Sequence, residues 1–173
     1  MIPTVTQQLE AIKRRLAEAV VPELPADAAF AREQVMLIGA ALDLLVECHE
    51  HEYRYAVVEN RDYRTLLERL SRLASGTDAE SEELLAEVAP RPDDGALALT
   101  TITGQTERLK AAAERLYTSS AVDPGAADES FALLADVAGR QVEREASWYR
   151  VAGFTAGAPS IGSLLASDAT GDR

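Results

Sequence analysis

The densest group of reactive side chains is Glu47-Cys48-His49-Glu50-His51-Glu52-Tyr53-Arg54-Tyr55, which gathers both histidines, the only thiol and several carboxylates. A carboxylate-bridged di-metal site in a helical bundle takes Glu-x-x-His from each of two helices and further glutamates from the other two. Here Val46 stands three before His49, Cys48 stands three before His51, and there is no third histidine. On one helix His49 and His51 point about 200° apart, so they cannot chelate one ion together. Glu47 with His51, at four-residue spacing, is the one two-ligand fragment left as a metal candidate. Against it stands a solvated helix end held by Glu–His and Glu–Arg pairs, and no metal or other cofactor is expected. Cys48 with His51 and Glu47 imitates a thiol, its base and an orienting carboxylate. No Gly-rich turn or oxyanion donors accompany it, so Cys48 is expected to be a small core residue and no catalytic residue is assigned.

A second group, Tyr53, Arg54, Tyr55, Arg61, Tyr63, Arg64, Arg69 and Arg72, makes a basic, tyrosine-rich span in an acidic chain. Guanidinium forks beside phenol rings grip carboxylates or phosphates and stack on flat rings. If a ligand is bound, the candidates are His49, His51, Tyr53, Arg54, Tyr55 and Arg61, around an inter-helix pocket near His51, Tyr53 and Arg54. The competing reading pairs these arginines with Glu50, Glu59, Asp62, Glu68 or the acidic span 78–87, as mixed-charge helix surfaces commonly do. Trp148-Tyr149-Arg150 has the composition of an interface anchor or of a plug at one end of the core. Thr100, Thr101, Thr103 and Thr106 either line a polar cavity or bond back to helix carbonyls.

No Walker loop, dinucleotide-binding glycine motif, zinc spacing or nucleophile elbow occurs. Enzyme classes recognisable by motif are thereby disfavoured, while catalysis by scattered residues stays open. With 17 basic and 29 acidic residues the net charge is -12, which repels nucleic acid and anionic lipid; neither is an expected partner. The first residues lack a basic start and apolar stretch, and one cysteine cannot form an intrachain disulfide, so the cytoplasm is the expected compartment. Val35 to Cys48 is the longest apolar stretch, but it contains Asp43 and Glu47 and is shorter than the roughly 20 residues that span a bilayer.

These side chains need helices to position them. Apolar residues are 47% and aromatics only 5%, a core of Ala, Leu and Val that suits close helix packing. Thr4 or Thr6 caps a first helix with Val5, Leu9, Ile12, Leu16 and Val20 on one face, ended by Pro22 and Pro25. Asp27 opens a second helix predicted from Ala28 to Glu59, apolar on nearly every side from Val35 to Val46, and therefore central in a bundle or covered by another subunit. Breaks are expected at Asn60 or Asp62 and at Gly76. A short helix from Thr77 or Asp78 to Val88 follows, ended by Pro90 and Pro92. Asp93 or Asp94 caps the next helix, with a kink near Gly104. After a connection from Ser119 to Gly125, a closing helix presents Phe131, Leu134, Val137, Ala138, Val142, Trp148, Val151 and Ala152.

The run Leu9, Leu16, Val21-Pro22-Glu23-Leu24-Pro25, Ala29-Phe30-Ala31-Arg32 and Ile38-Gly39-Ala40-Ala41-Leu42 resembles small helical accessory domains of unknown function, encoded beside or fused to aminoglycoside-phosphotransferase-like kinases and acyl-CoA dehydrogenases. The resemblance covers roughly the first third of the chain and rests on packing residues. It implies a partner-associated, non-catalytic role; the His-Glu-His-Glu-Tyr-Arg stretch and all that follows depart from it. The expectation is an all-α, up-and-down bundle of four main helices and one or two shorter ones. It forms one domain over residues 1–155 with a flexible tail over 156–173, acts as a protein-interaction or accessory protein with a protein partner, and forms a homodimer through the second helix.

Overall fold

The computed structural model describes residues 2–73, 79–89, 97–120, 124–153, 155 and 157–170. These are mostly helical, with no strand among them. The α-helices are α1 (Val5–Arg15), α2 (Ala29–Cys48), α3 (Glu52–Leu73), α4 (Ala79–Glu87), α5 (Leu99–Ser120), α6 (Pro124–Trp148) and α7 (Ile161–Thr170). The all-α class is as the composition requires, with α2, α3, α5 and α6 as the long helices and three shorter ones beside them. The expected breaks and caps at Gly76, Thr77, Asp78, Pro90, Pro92, Asp93 and Asp94 lie outside the described residues.

The chain divides into two compact units, Met1–Glu52 with Arg144–Ala166 and Tyr53–Glu143 with Ser167–Arg173. In the first, Thr4 caps α1 through a capping box: its hydroxyl accepts from the Gln7 N–H while the Gln7 side chain accepts from the Thr4 N–H. The helix does not run on as α to Val20. Leu16–Val20 is a π-helical turn, closed by the Val21 N–H on the Leu16 carbonyl, and Val21–Glu23 is 3-10. Pro22 has no N–H to donate and its ring crowds the carbonyl four residues back, so the α pattern cannot pass through it. α2 begins after Ala28, which offers no side-chain cap, so Asp27 does not serve as one.

Two further expectations fail in this unit. The second helix stops at Cys48 rather than Glu59, and of α2 only Leu42 and Cys48 are buried. Phe30 is 74% exposed, Met36 69% and Leu37 58%, with Ile38 and Leu45 also exposed. α2 packs on α1 and on the Arg150–Ala152 turn. The C-terminal segment, expected to fray, instead forms α7: Ile161, Leu164 and Leu165, spaced three and four apart, are buried. Such a stripe supplies the apolar anchoring that a short helix needs.

The second unit holds the hydrophobic core cluster. Leu66, Leu67 and Leu70 of α3 meet Leu84 of α4, Val88 just after it, Leu109, Ala112, Ala113 and Leu116 of α5, and Leu133 and Val137 of α6. Glu59 to Asp62, expected to break the chain, lie inside α3 because their polar ends are used there. Asn60 donates to the Thr106 hydroxyl at 3.1 Å and Asp62, buried, accepts from Arg140 at 3.4 Å. α6 turns inward a face that matches the expected one in part: Val137 is buried and Leu134 packs on the core, but Phe131 and Val142 are exposed, while Ala126, Ser130, Leu133, Arg144 and Ser147 are buried. Small hydroxyls on the inner face mislead a reading by hydropathy alone.

Candidate functional site

The residues Glu47 to His51 lie where α2 ends. Neither glycine nor proline makes that break; tertiary bonds hold the segment open. Thr6 donates to Glu50 at 3.2 Å and its oxygen lies 2.9 Å from His49 Nε2. A hydroxyl has one proton, so with that proton on Glu50 the His49 Nε2–H is the donor to Thr6. The Glu47 carboxylate accepts from Arg150 at 2.6 Å and the Cys48 thiol donates to the Trp148 carbonyl at 3.3 Å. Burial, with the Glu47 charge adding to it, pushes the thiol up to about 11, the reverse of what a nucleophilic cysteine needs.

Glu47 and His51 do not form their four-residue pair, because α2 stops between them at Cys48. Glu47 faces Arg150, and the His51 ring tip lies against Gly162 of α7, 2.9 Å from where a β-carbon on that glycine would stand. Among the described residues no group of three His, Cys, Asp or Glu is placed to hold a metal ion.

The Tyr/Arg span lies in α3 of the second unit. Tyr53 is exposed, as is Arg54; the Tyr55 hydroxyl accepts from Gln141 at 2.8 Å; Arg61 donates to the Asp168 carbonyl at 3.3 Å. Arg64 pairs with Glu68 one turn on. Thr103 and Thr106 bond back to helix carbonyls. These bonds are thus internal ones that hold the fold. A groove of about 280 Å³ between α4 and α5 is charged, but both of its arginines are taken by its own carboxylates, Arg108 forking onto Glu87 at 2.6 and 2.8 Å and Arg115 reaching Glu80 at 3.2 Å.

A different groove has unspent chemistry. Between α1 with its π-turn and α2 lies a cavity of about 400 Å³, walled by Leu16, Ala17, Val21, Val35, Met36 and Gly39, with Lys13 and Arg32 on its rim. The π-turn places Leu16 and Ala17 on one wall; on the other, nothing stands within 4 Å of a β-carbon built on Gly39. Lys13 is paired with Asp43, whose hydrogen bond holds the ammonium above the ordinary lysine range. Arg32 is half-buried and donates to the Leu24 carbonyl at 2.8 Å. The site was missed in the sequence because the π-turn carries no local signal beyond Pro22.

No family model, curated protein or solved structure matches the chain. The two features that bear on function are therefore physical ones: this groove and the exposed side of α2. Among the described residues, no helix is long and apolar enough to cross a membrane.

Proposed function

We propose that the chain is a non-catalytic protein-interaction module that associates with a second copy of itself through the outward face of α2. The observation that carries this is the exposure of Phe30, Leu37, Ile38 and Leu45. At about 100° per residue these four and Ala41 share an arc about 100° wide. Gln34 is the polar residue within the arc, and no charge falls there, since Arg32, Glu33, Asp43 and Glu47 project to its sides or behind it. Two chains of net charge -12 repel one another; a charge-free apolar stripe is the surface on which they approach at least cost. The stripe pairs with its own copy without burying an ion.

Twenty residues of α2 make a rod about 30 Å long. A face roughly 10 Å wide buries about 300 Å² per copy, well under the roughly 800 Å² of a standard interface. A contact of that size is weak and transient, so pairing shows only at high chain concentration. Size-exclusion chromatography with light scattering, run over a dilution series, gives twice the chain mass at high concentration and the single-chain mass for Leu37→Glu. A wild-type chain that stays single at every concentration, or a Leu37→Glu variant that still pairs, overturns the proposal.

A further inference from the structure

We propose that the groove between α1 and α2 is a binding site for a free medium-chain carboxylate, a single-tailed amphiphile with one negative charge. The ligand's alkyl chain lies along Leu16, Ala17, Val35 and Gly39; its head reaches Arg32. The volume of about 400 Å³ is at the small end of pre-formed ligand sites, room for one tail and too little for a two-tailed lipid.

The charge on the rim selects the head group. Of the two cations, Lys13 is neutralised by Asp43. Arg32 has no carboxylate partner among the described residues, and its one hydrogen bond is to the Leu24 carbonyl. The rim therefore has one uncompensated positive charge, which matches a monoanion. That guanidinium is already anchored from one side, and its remaining N–H groups offer the planar fork that suits a carboxylate. A half-buried cation without an anion, set beside an apolar trough, has both of the features that an amphiphilic anion satisfies. The site faces α1, on a different side of α2 from the stripe assigned to self-association, so the two proposals fail separately.

The test is titration calorimetry with sodium decanoate below its micelle concentration, with decanol as the uncharged comparison, repeated on the Leu37→Glu background to remove any effect of pairing. Saturable binding of one decanoate per chain is expected. Arg32→Gln should weaken decanoate by about tenfold or more, the effect of losing one charge-assisted bond, and leave decanol unchanged. Gly39→Leu fills the trough and should abolish binding. Its side chain enters open space and leucine is the better helix former, so its melting temperature should not fall, which separates a blocked site from an unfolded chain. No saturable decanoate binding, undiminished binding by Gly39→Leu, or equal decanoate affinity in Arg32→Gln overturns the assignment.

Discussion

Replacing Gly162 by alanine should destabilise the protein, against the usual direction of such a change within a helix. Glycine costs a helix interior roughly 0.5–1 kcal/mol relative to alanine, so the substitution is ordinarily a gain. At Gly162 the new β-carbon would stand 2.9 Å from both Cε1 and Nε2 of His51, inside any contact distance that carbon atoms adopt. The ring is half-buried and must leave its place, or α7 must shift and disturb the packing of Ile161 and Leu165, both fully buried. Overpacking of this kind costs about 1–3 kcal/mol. Set against the propensity gain, the net loss runs up to about 2.5 kcal/mol and is smaller the more easily the ring tip swings aside, so the melting temperature falls by up to roughly 10 °C for a chain of this size. Gly39→Ala, with open space before it, is the matched control and should rise by the propensity term. Thermal unfolding followed by circular dichroism reads both, and Gly162→Ala in a His51→Ala background isolates the clash. A Gly162→Ala variant as stable as Gly39→Ala, or one whose loss persists without the His51 ring, refutes the packing argument.

Lys110 bridges Glu59 and Glu107, at 3.0 Å each, and stands 5.2 Å from the centre of the Tyr63 ring. Burial works against its charge, but the two carboxylates outweigh it and hold the pKa above the ordinary 10.5. The folded value is therefore the raised one, so the contribution is complete below about pH 10.5 and is lost as pH rises beyond it. Lys110→Met should lower stability by about 1 kcal/mol at neutral pH, given the partial exposure, and the gap to wild type in urea unfolding should narrow towards pH 12. For Cys48, a thiol at about 11 rather than 9.0 has about a hundredfold less thiolate at neutral pH, so a disulfide reagent should label it at least that much more slowly in the native chain than in urea. Equal rates would show that the thiol is neither buried nor perturbed.

The helical class and several core positions were legible from spacing. Ile102, Leu109, Ala112, Ala113 and Leu116 recur at helical intervals and are buried in α5. Thr4 and Thr6 were both placed to cap the first helix, and Thr4 is the one that does, in a capping box closed by Gln7. What could not be seen was set by distant partners. Asn60 and Asp62 look like breakers until Thr106 and Arg140 arrive to bond them. The true break after Cys48 depends on Thr6, Trp148 and Arg150, two of them about a hundred residues away. Hydropathy left α2, where the sequence is most apolar, as either the centre of the bundle or a face covered by another subunit; the main cluster forms around α3, α4, α5 and α6, whose leucines are spaced by turns and leave polar residues facing out. Of the candidate site, His49 and His51 go to separate partners, Thr6 and Gly162, and in the Tyr/Arg span Tyr55, Arg61 and Arg64 make internal bonds. The groove lined by the π-turn depends on a register change that no residue pattern announces.

α2 turns an uncharged apolar face to solvent, and on the proposed function a second copy of the chain covers it. A spin label on Ala41→Cys in a Cys48→Ala chain tests this directly, because one label per chain gives a dipolar distance only when two chains meet. Packed helix axes stand 8–10 Å apart, so double electron–electron resonance should report a separation under about 25 Å that broadens away on dilution. The same label at Ala111, on the exposed side of α5, should report none in that range. A short distance from Ala111 and none from Ala41 would contradict the claim.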